Sequence, residues 1–114
     1  MTQRHCLACD LKDQPDLIAK YIEYHAPGNV WAEVTKSLHD AGVEDMEIFI
    51  TGNRLFMIIE VDETFTFERK ATMDASNPKV QEWEALMSQF QQVLPWANEE
   101  EKWLPMERIF KLDL

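Results

Sequence analysis

The stretch MEIFITGNRLFMIIEV, residues 46–61, decides how this chain folds. It consists of two runs with strand-like composition joined by TGNR, whose Gly52-Asn53 suits a tight hairpin turn. Because side chains alternate along a strand, the second run places four apolar residues on one face: Leu55, Met57, Ile59 and Val61. Its other face also carries the apolar residues Phe56 and Ile58. The stretch therefore predicts an antiparallel hairpin whose sheet is apolar on both sides.

Upstream of the hairpin, the sequence predicts one strand and two helices. Residues 4–11 are predicted as the first strand. The first helix is predicted over about residues 15–24, with Asp13 as its N-cap candidate. Its apolar stripe consists of Leu17, Ile18, Tyr21 and Ile22. The second helix is predicted over about residues 29–41 and ends at Gly42.

Downstream of the hairpin, the sequence predicts one helix and a closing strand. Residues 62–77 have a mixed pattern that predicts no element. A helix is predicted over about residues 79–94, stopped by Pro95. Its apolar residues recur at helical intervals: Val80, Trp83, Met87, Phe90 and Leu94. Residues 98–103 then form a loop, and residues 106–114 alternate as the last strand.

This order of elements indicates an α+β protein with the ferredoxin-like βαββαβ pattern. In that fold an antiparallel sheet carries its helices on one face. The 114 residues have room for one domain, residues 1–114. Apolar residues on the second face of the sheet require a cover, which a ligand pocket or a second copy of the chain would supply. We therefore expect a homodimer.

Composition narrows the possible partners. The formal net charge of −10 disfavours nucleic acid and anionic membranes, since both require a basic patch. A small neutral molecule fits best. No apolar run is long enough to cross a bilayer, and MTQRHCLACD at residues 1–10 lacks a signal-peptide core, so we expect a cytoplasmic protein. Glycine-rich phosphate loops, GxSxG and HExxH do not occur, and no cofactor or metal is expected.

Cys6 and Cys9 form a CxxC motif, a spacing that also occurs in metal and redox sites. A metal site of this kind needs a second set of ligands, and a redox CxxC opens a helix. Here the motif lies in a predicted strand, where residues three apart point to opposite faces. We interpret the pair as ordinary reduced cysteines.

The candidate for acid–base chemistry is His25. Tyr21 lies four residues earlier, so both side chains share one face at the C-terminal end of the first predicted helix. An imidazole exchanges protons near neutral pH, which suits general acid–base catalysis. The same spacing also fits two side chains that only pack. His5 and His39 are predicted as solvated polar positions.

The chain has four tryptophans, a large number for its length: Trp31, Trp83, Trp96 and Trp103. Trp83 belongs to the apolar stripe of the third predicted helix, so core packing is its default interpretation. Trp96 and Trp103 lie in the loop before the last strand, where burial is less automatic. Aromatic faces beside polar side chains suit a sugar, because C–H faces of the sugar ring pack on the indole.

Four motifs, in order along the chain, carry a family resemblance: YIEYHAP (residues 21–27), VWAEV (30–34), VQEWEALM (80–87) and MERIFKL (106–112). On these motifs the chain resembles the L-rhamnose mutarotase family over most of its length. The resemblance implies a dimeric α+β barrel built on the ferredoxin-like unit and an isomerase that needs no cofactor. It also implies that His25 is the acid/base residue, that Tyr21 binds the sugar and that Trp83 lines the sugar pocket.

Three departures from the family pattern imply a different sugar. Met46 stands where the rhamnose enzymes have a second pocket tyrosine, and Glu84 replaces the second member of a tryptophan pair. The segment APGNVW, residues 26–31, is longer than the family's link. The resemblance thus favours L-fucose over L-rhamnose, and it implies five substrate-binding residues: Tyr21, Trp31, Met46, Trp83 and Glu84.

The implied reaction exchanges the α and β anomers of a free sugar through ring opening. It needs a base at the anomeric hydroxyl and an acid at the ring oxygen, roles that a histidine with an ordinary pKa of about 6.5 can fill. Two alternatives remain open. One is a ferredoxin-like dimer that binds a small ligand without converting it, and the other is a cofactor-free oxygenase of similar architecture.

Overall fold

The computed structural model describes residues 3–113, in which helices cover one face of an antiparallel sheet. The elements, in chain order, are β1 (Gln3–Leu11), α1 (Pro15–Tyr24), α2 (Ala32–Asp40), β2 (Val43–Thr51), β3 (Arg54–Val61), α3 (Phe67–Ala75), α4 (Pro78–Ser88), β4 (Gln91–Gln92) and β5 (Leu104–Pro105). The predicted α+β class is therefore confirmed.

The strands lie in the spatial order β2-β3-β1-β4, with every pair antiparallel. β5 also pairs with β1, so β4 and β5 share one edge of β1 and split the fourth strand position between them. The predicted hairpin is present: Thr51 pairs with Arg54, and Gly52 between them has a φ of 58°. Only the first of the two turn residues has positive φ, as in a type II′ turn. This strand order is that of the ferredoxin-like fold.

The helices pack on the sheet face that carries Leu7, Leu55 and Ile59, and two clusters of buried side chains form the core there. The first cluster comprises Leu11, Tyr21, Val34, Leu55, Trp83, Met87 and Phe90. The second comprises Leu7, Val43, Ile59, Val61 and Phe65. Part-buried Trp103 packs against both clusters. The first cluster matters for function because it contains the side chains beneath the end of α1.

Gly42 ends α2 as the sequence predicts, with a φ of 99° in the left-handed region. A Cβ at this position would lie 2.5 Å from Asp62 Oδ1 and 2.7 Å from Thr64 Oγ1. The Arg69 guanidinium closes the same corner by donating hydrogen bonds to the backbone carbonyls of Asp40, Ala41 and Thr64. The turn after α2 is thus held tightly to the segment that follows β3.

The start of α1 differs from the prediction. Gln14 rather than Asp13 precedes the first turn, and no side chain caps it. Pro15 begins the helix as expected, because its missing N–H would be unpaired there in any case. Ile22, predicted to be buried, is 51% exposed, since it lies on the solvent side of the helix beyond Tyr21. The second helix begins at Ala32, later than predicted.

Downstream of the hairpin, the sequence prediction missed α3, which is capped by the Thr66 side chain accepting from the Arg69 backbone N–H. The predicted helix over residues 79–94 was too long, because α4 ends at Ser88. Phe90 and Leu94 are buried as expected, but they lie outside the helix. Pro95 therefore does not stop it.

The predicted closing strand over residues 106–114 is wrong for its described part. Strand pairing at this end is confined to Leu104–Pro105, and residues 106–113 belong to no helix or strand. No strand of the described sheet pairs with these residues, so their alternating pattern does not produce a strand. Leu114 lies outside the described residues.

Candidate active site

The last turn of α1 brings Tyr21 and His25 into contact. Their ring centroids lie 4.4 Å apart at an interplanar angle of 32°. Tyr21 is 3% exposed, and His25, the C-cap residue of α1, is half-buried. Pro27 follows within two residues and prevents the helix from continuing. The helix therefore ends with the imidazole lying over the phenol ring.

A hydrogen bond fixes the form of the imidazole. His25 Nδ1 lies 2.8 Å from the backbone carbonyl oxygen of Tyr21. A carbonyl can only accept, so Nδ1 carries the proton and Nε2 keeps its lone pair in the neutral ring. Burial lowers the pKa of His25 from its ordinary value of 6.5, opposed by this hydrogen bond. The neutral ring, with a basic Nε2, is therefore the form that prevails at neutral pH.

The Tyr21 phenol has the opposite character. Burial raises the pKa of Tyr21 to about 12, against a hydrogen bond from the Gln91 side chain that lowers it. Gln91 is itself buried, on β4 opposite Leu11. The phenol therefore stays protonated at neutral pH and can donate a proton or a hydrogen bond beside the basic imidazole.

The Trp83 indole packs next to the Tyr21–His25 pair. Its ring centroid lies 5.6 Å from that of His25 and 5.2 Å from that of Trp31, both in edge-on contacts. Tyr24 makes a third edge-on contact with it at 6.3 Å. Helix α4 points this side chain inward because Trp83 shares its buried face with Val80. The structure thus brings four sequence-predicted residues together: Tyr21, His25, Trp31 and Trp83.

The other two predicted sugar contacts lie elsewhere. Met46, on β2, packs against the second core cluster. Glu84 lies on the exposed side of α4, where it interacts with Gln81, Asp74 and Lys70. Partial desolvation of the carboxyl group by its neighbours, and then the nearby Asp74 carboxylate, raise the pKa of Glu84. The structure brings neither residue into the aromatic group around His25, and their roles stay predictions.

His5, His39 and Trp96 lie away from the aromatic group around His25. His5, predicted to be solvated, instead packs edge-on against Phe67 with 5.0 Å between centroids. His39 is exposed as predicted. Trp96 is 67% exposed, and the Arg54 guanidinium lies 5.0 Å from its ring centroid.

Two residues at this site were not identified from the sequence. Tyr24 lies within the YIEYHAP motif but was not singled out, although its position three residues after Tyr21 carried a signal. Gln91 gave no signal, because a single glutamine near a predicted helix end forms no recognisable pattern.

A surface cleft of about 410 Å³ lies against this region, lined by Lys20, Glu23, Tyr24, Gly28, Asn29 and Trp31. Its lining does not include His25 or Tyr21.

Cys6 and Cys9 are both free, and burial raises the pKa of the Cys9 thiol to about 12. A thiol of that pKa is a poor nucleophile and metal ligand at neutral pH, which agrees with the interpretation as ordinary cysteines. Within residues 3–113 there is no group of three His, Cys, Asp or Glu side chains arranged to hold a metal ion. Across the same residues, no helix has the length and apolar character needed to span a bilayer.

Comparison with known proteins identifies the relatives of this chain. The L-rhamnose mutarotase family model matches residues 4–112. The chain is 46% identical to an L-fucose mutarotase of Xanthomonas campestris pv. campestris, over 96% of this chain and 88% of that protein. It is 36% identical to a UPF0734 protein of Dictyostelium discoideum, over 93% of this chain and 86% of that one.

Solved structures show the same architecture. The L-rhamnose mutarotase of Formosa agariphila superimposes with a TM-score of 0.69 and 26% identity, covering 97% of this chain and 99% of that one. Tetracenomycin F2 cyclase of Streptomyces glaucescens superimposes with a TM-score of 0.60 at 16% identity, covering 96% and 95%, which shows a shared fold. Fold and relatives together define a sugar mutarotase, an isomerase-type enzyme. The chain belongs to the L-rhamnose mutarotase family.

Proposed function

We propose that this enzyme interconverts the α and β anomers of L-fucose in preference to L-rhamnose, with His25 as the residue that transfers the proton. The observation that carries the proposal is the half-buried imidazole, stacked on the Tyr21 phenol and set against the Trp83 indole. A proton-transfer group, a hydrogen-bond donor and an aromatic surface are the three components that a neutral sugar undergoing ring opening requires.

The protonation states of His25 and Tyr21 support the following proposed steps. The neutral His25 ring takes the anomeric hydroxyl proton on Nε2 while the bond from the anomeric carbon to the ring oxygen breaks, and the ring oxygen takes a proton either from the Tyr21 phenol or from the imidazolium just formed on His25. The aldehyde then rotates and the ring closes with the proton transfers reversed, so the enzyme ends unchanged. Tyr21, protonated at neutral pH, holds a sugar hydroxyl or supplies the ring-oxygen proton.

The aromatic residues bind the sugar in this proposal. Trp83 stacks on the sugar ring, and Trp31, whose ring contacts that of Trp83, extends the same apolar surface. Met46 and Glu84 are retained as predicted determinants of the sugar. The proposal also retains three predictions made from the sequence: the chain forms a single domain, it assembles as a homodimer, and it acts in the cytoplasm.

The preference for L-fucose is supported by the relatives. The chain is 46% identical to an L-fucose mutarotase and 26% identical to a structurally similar L-rhamnose mutarotase. In addition, Met46 stands where the resemblance places a pocket tyrosine of the rhamnose enzymes. A thioether offers no hydroxyl for hydrogen bonding, so a sugar that reached Met46 would lack the hydrogen bond that a tyrosine supplies, which suits a sugar with different hydroxyl orientation.

The test is to record anomer exchange by NMR saturation transfer with the full chain and a panel of free sugars. We expect faster exchange for L-fucose than for L-rhamnose at equal concentrations, and little acceleration for hexoses that carry a 6-hydroxyl. Faster exchange of L-rhamnose would contradict the sugar assignment alone. Sugar binding without accelerated exchange would instead support the non-catalytic binding module and overturn the enzymatic proposal.

A further inference from the structure

Among the described residues, three that carry a carboxylate or an amide are buried: Asp10, Asp74 and Gln91. The two carboxylates are each held in an ion pair, Asp10 with Arg54 and Asp74 with Lys70. Gln91 is uncharged and lies in the region of the active site. Burying an amide costs free energy unless its hydrogen bonds are made, so the partner of Gln91 explains why a polar side chain stands there.

The register of the sheet places Gln91 beneath α1. Gln91 on β4 pairs with Leu11 on β1, and residues directly opposite each other on neighbouring antiparallel strands project from the same face of the sheet. Leu11 is fully buried and belongs to the first core cluster together with Tyr21. The Gln91 side chain therefore points to the face that the helices cover, where the Tyr21 phenol lies.

Backbone and ring contacts fix the position of Gln91 relative to Tyr21. The Lys12 backbone N–H donates a hydrogen bond to the Phe90 carbonyl at 2.8 Å, which holds the start of β4 to the end of β1. The Phe90 ring in turn lies 6.3 Å from the Tyr21 ring and 5.7 Å from the Tyr24 ring, measured between centroids. A side chain that is supported by a strand and by packed rings holds its partner more accurately than one on a loop.

The Gln91 side chain forms a hydrogen bond with the Tyr21 phenol. Burial raises the pKa of Tyr21, and this hydrogen bond opposes the effect. A hydrogen bond that lowers the pKa of a phenol favours the phenolate, so the amide N–H is the donor and the phenol oxygen accepts. The phenol O–H is then left to donate to another group, on a ring whose centroid lies 4.4 Å from that of His25.

We propose that Gln91 is a positioning residue, whose amide holds the Tyr21 phenol oxygen so that the phenol O–H is directed to the sugar. Gln91 acts through Tyr21 and needs no contact with the sugar itself. The inference rests on the proposed function, in which Tyr21 donates to a sugar hydroxyl or to the ring oxygen. An apolar side chain at position 91 would fill the space but would leave the phenol free to turn its proton elsewhere.

The first test is a double-mutant cycle between Gln91→Met and Tyr21→Phe, measured as anomer exchange of L-fucose. Methionine keeps a similar length but cannot donate, so Gln91→Met should lower kcat/KM about 2- to 10-fold, the effect of one neutral hydrogen bond. In the Tyr21→Phe background, which has no phenol oxygen to hold, the same substitution should cause no further loss. Equal losses in both backgrounds would overturn the proposal, because they would show that Gln91 acts through packing alone.

Gln92→Met is the matched control, because Gln92 is the exposed neighbour that pairs with Asp10. We expect native exchange in this variant. A loss equal to that of Gln91→Met would contradict a role specific to position 91. Absence of exchange in the native chain would instead be a failure of the proposed function.

The second test needs no sugar. The chain has two tyrosines, so Tyr24→Phe leaves Tyr21 as the one tyrosine, and carbon-13 labelling of its Cζ gives a single NMR signal that reports hydrogen bonding at the phenol oxygen. In this background Gln91→Met should shift the signal and Gln92→Met should leave it in place. A signal that Gln91→Met does not move would overturn the positioning role, whether or not the chain exchanges sugar anomers.

Discussion

Replacing Trp83 by alanine measures how much the Trp83 indole contributes to the stability of the fold. Trp83 is 8% exposed and belongs to the first core cluster, so its removal leaves a cavity among packed side chains. Such Trp→Ala changes reduce the free energy of unfolding by about 3–5 kcal/mol. A domain of this length has about 6–17 kcal/mol in total, at about 0.05–0.15 kcal/mol per residue. The variant therefore loses a large share of its stability.

Trp96→Ala is the matched control, because the same chemical change is made where the indole is 67% exposed. Its ring lies 5.0 Å from the Arg54 guanidinium, and such an interaction is worth about 0.5–1 kcal/mol at an exposed site. Urea denaturation followed by circular dichroism measures both losses. Equal losses for the two variants, near 1 kcal/mol, would refute the placement of Trp83 in the core.

Trp83→Phe then tests the role in binding without opening a large cavity. The smaller ring keeps most of the packing but offers less surface to a sugar. We expect a raised KM for L-fucose with an unchanged pH dependence of kcat. An unchanged KM in a folded variant would mean that the indole only supports the core and does not stack on the sugar.

Two further predictions concern stability. Gly42→Ala should reduce the free energy of unfolding by about 2–5 kcal/mol, since it adds overlap with Asp62 and Thr64 to left-handed strain. Gly28→Ala, with positive φ and open space around it, should lose only about 1–2 kcal/mol; equal losses in urea titrations would contradict the close approach at Gly42. The lowered pKa of His25 means that the unfolded chain binds more protons, so the free energy of unfolding should fall as pH drops below the ordinary value of 6.5. A His25→Asn variant should lack this part of the pH dependence, and an identical pH profile would contradict the burial of the imidazole.

The features that could be predicted from the sequence are those set by neighbouring residues. The β2–β3 hairpin follows from two runs of strand-like composition joined at Gly52-Asn53. Helix α1 lies between Pro15, which favours a helix start, and Pro27, which prevents the helix from continuing. The contact of Tyr21 with His25 follows from one helical turn. Their meeting with Trp83 is a long-range contact, and it was anticipated only through the family resemblance.

The features that were missed lack a periodic signal. α3 has the sequence FERKATMDA, in which charged residues interrupt any apolar stripe, so tertiary packing decides it. β4 and β5 contain two residues each, too few to show alternation. The apolar residues at 106–112 do alternate, but in the described chain no neighbouring strand pairs with them. Gln91 reaches Tyr21 only because β4 pairs with the end of β1.

The most direct test of the account is anomer exchange of L-fucose, measured by NMR saturation transfer with His25→Asn. Asparagine can keep a donor near the Tyr21 carbonyl but has no basic nitrogen, and His39→Asn, at an exposed histidine, serves as the control. The account predicts a loss of at least about 100-fold for His25→Asn, the lower bound for positioned proton transfer, with native exchange in the control. Native exchange in a folded His25→Asn protein would contradict it.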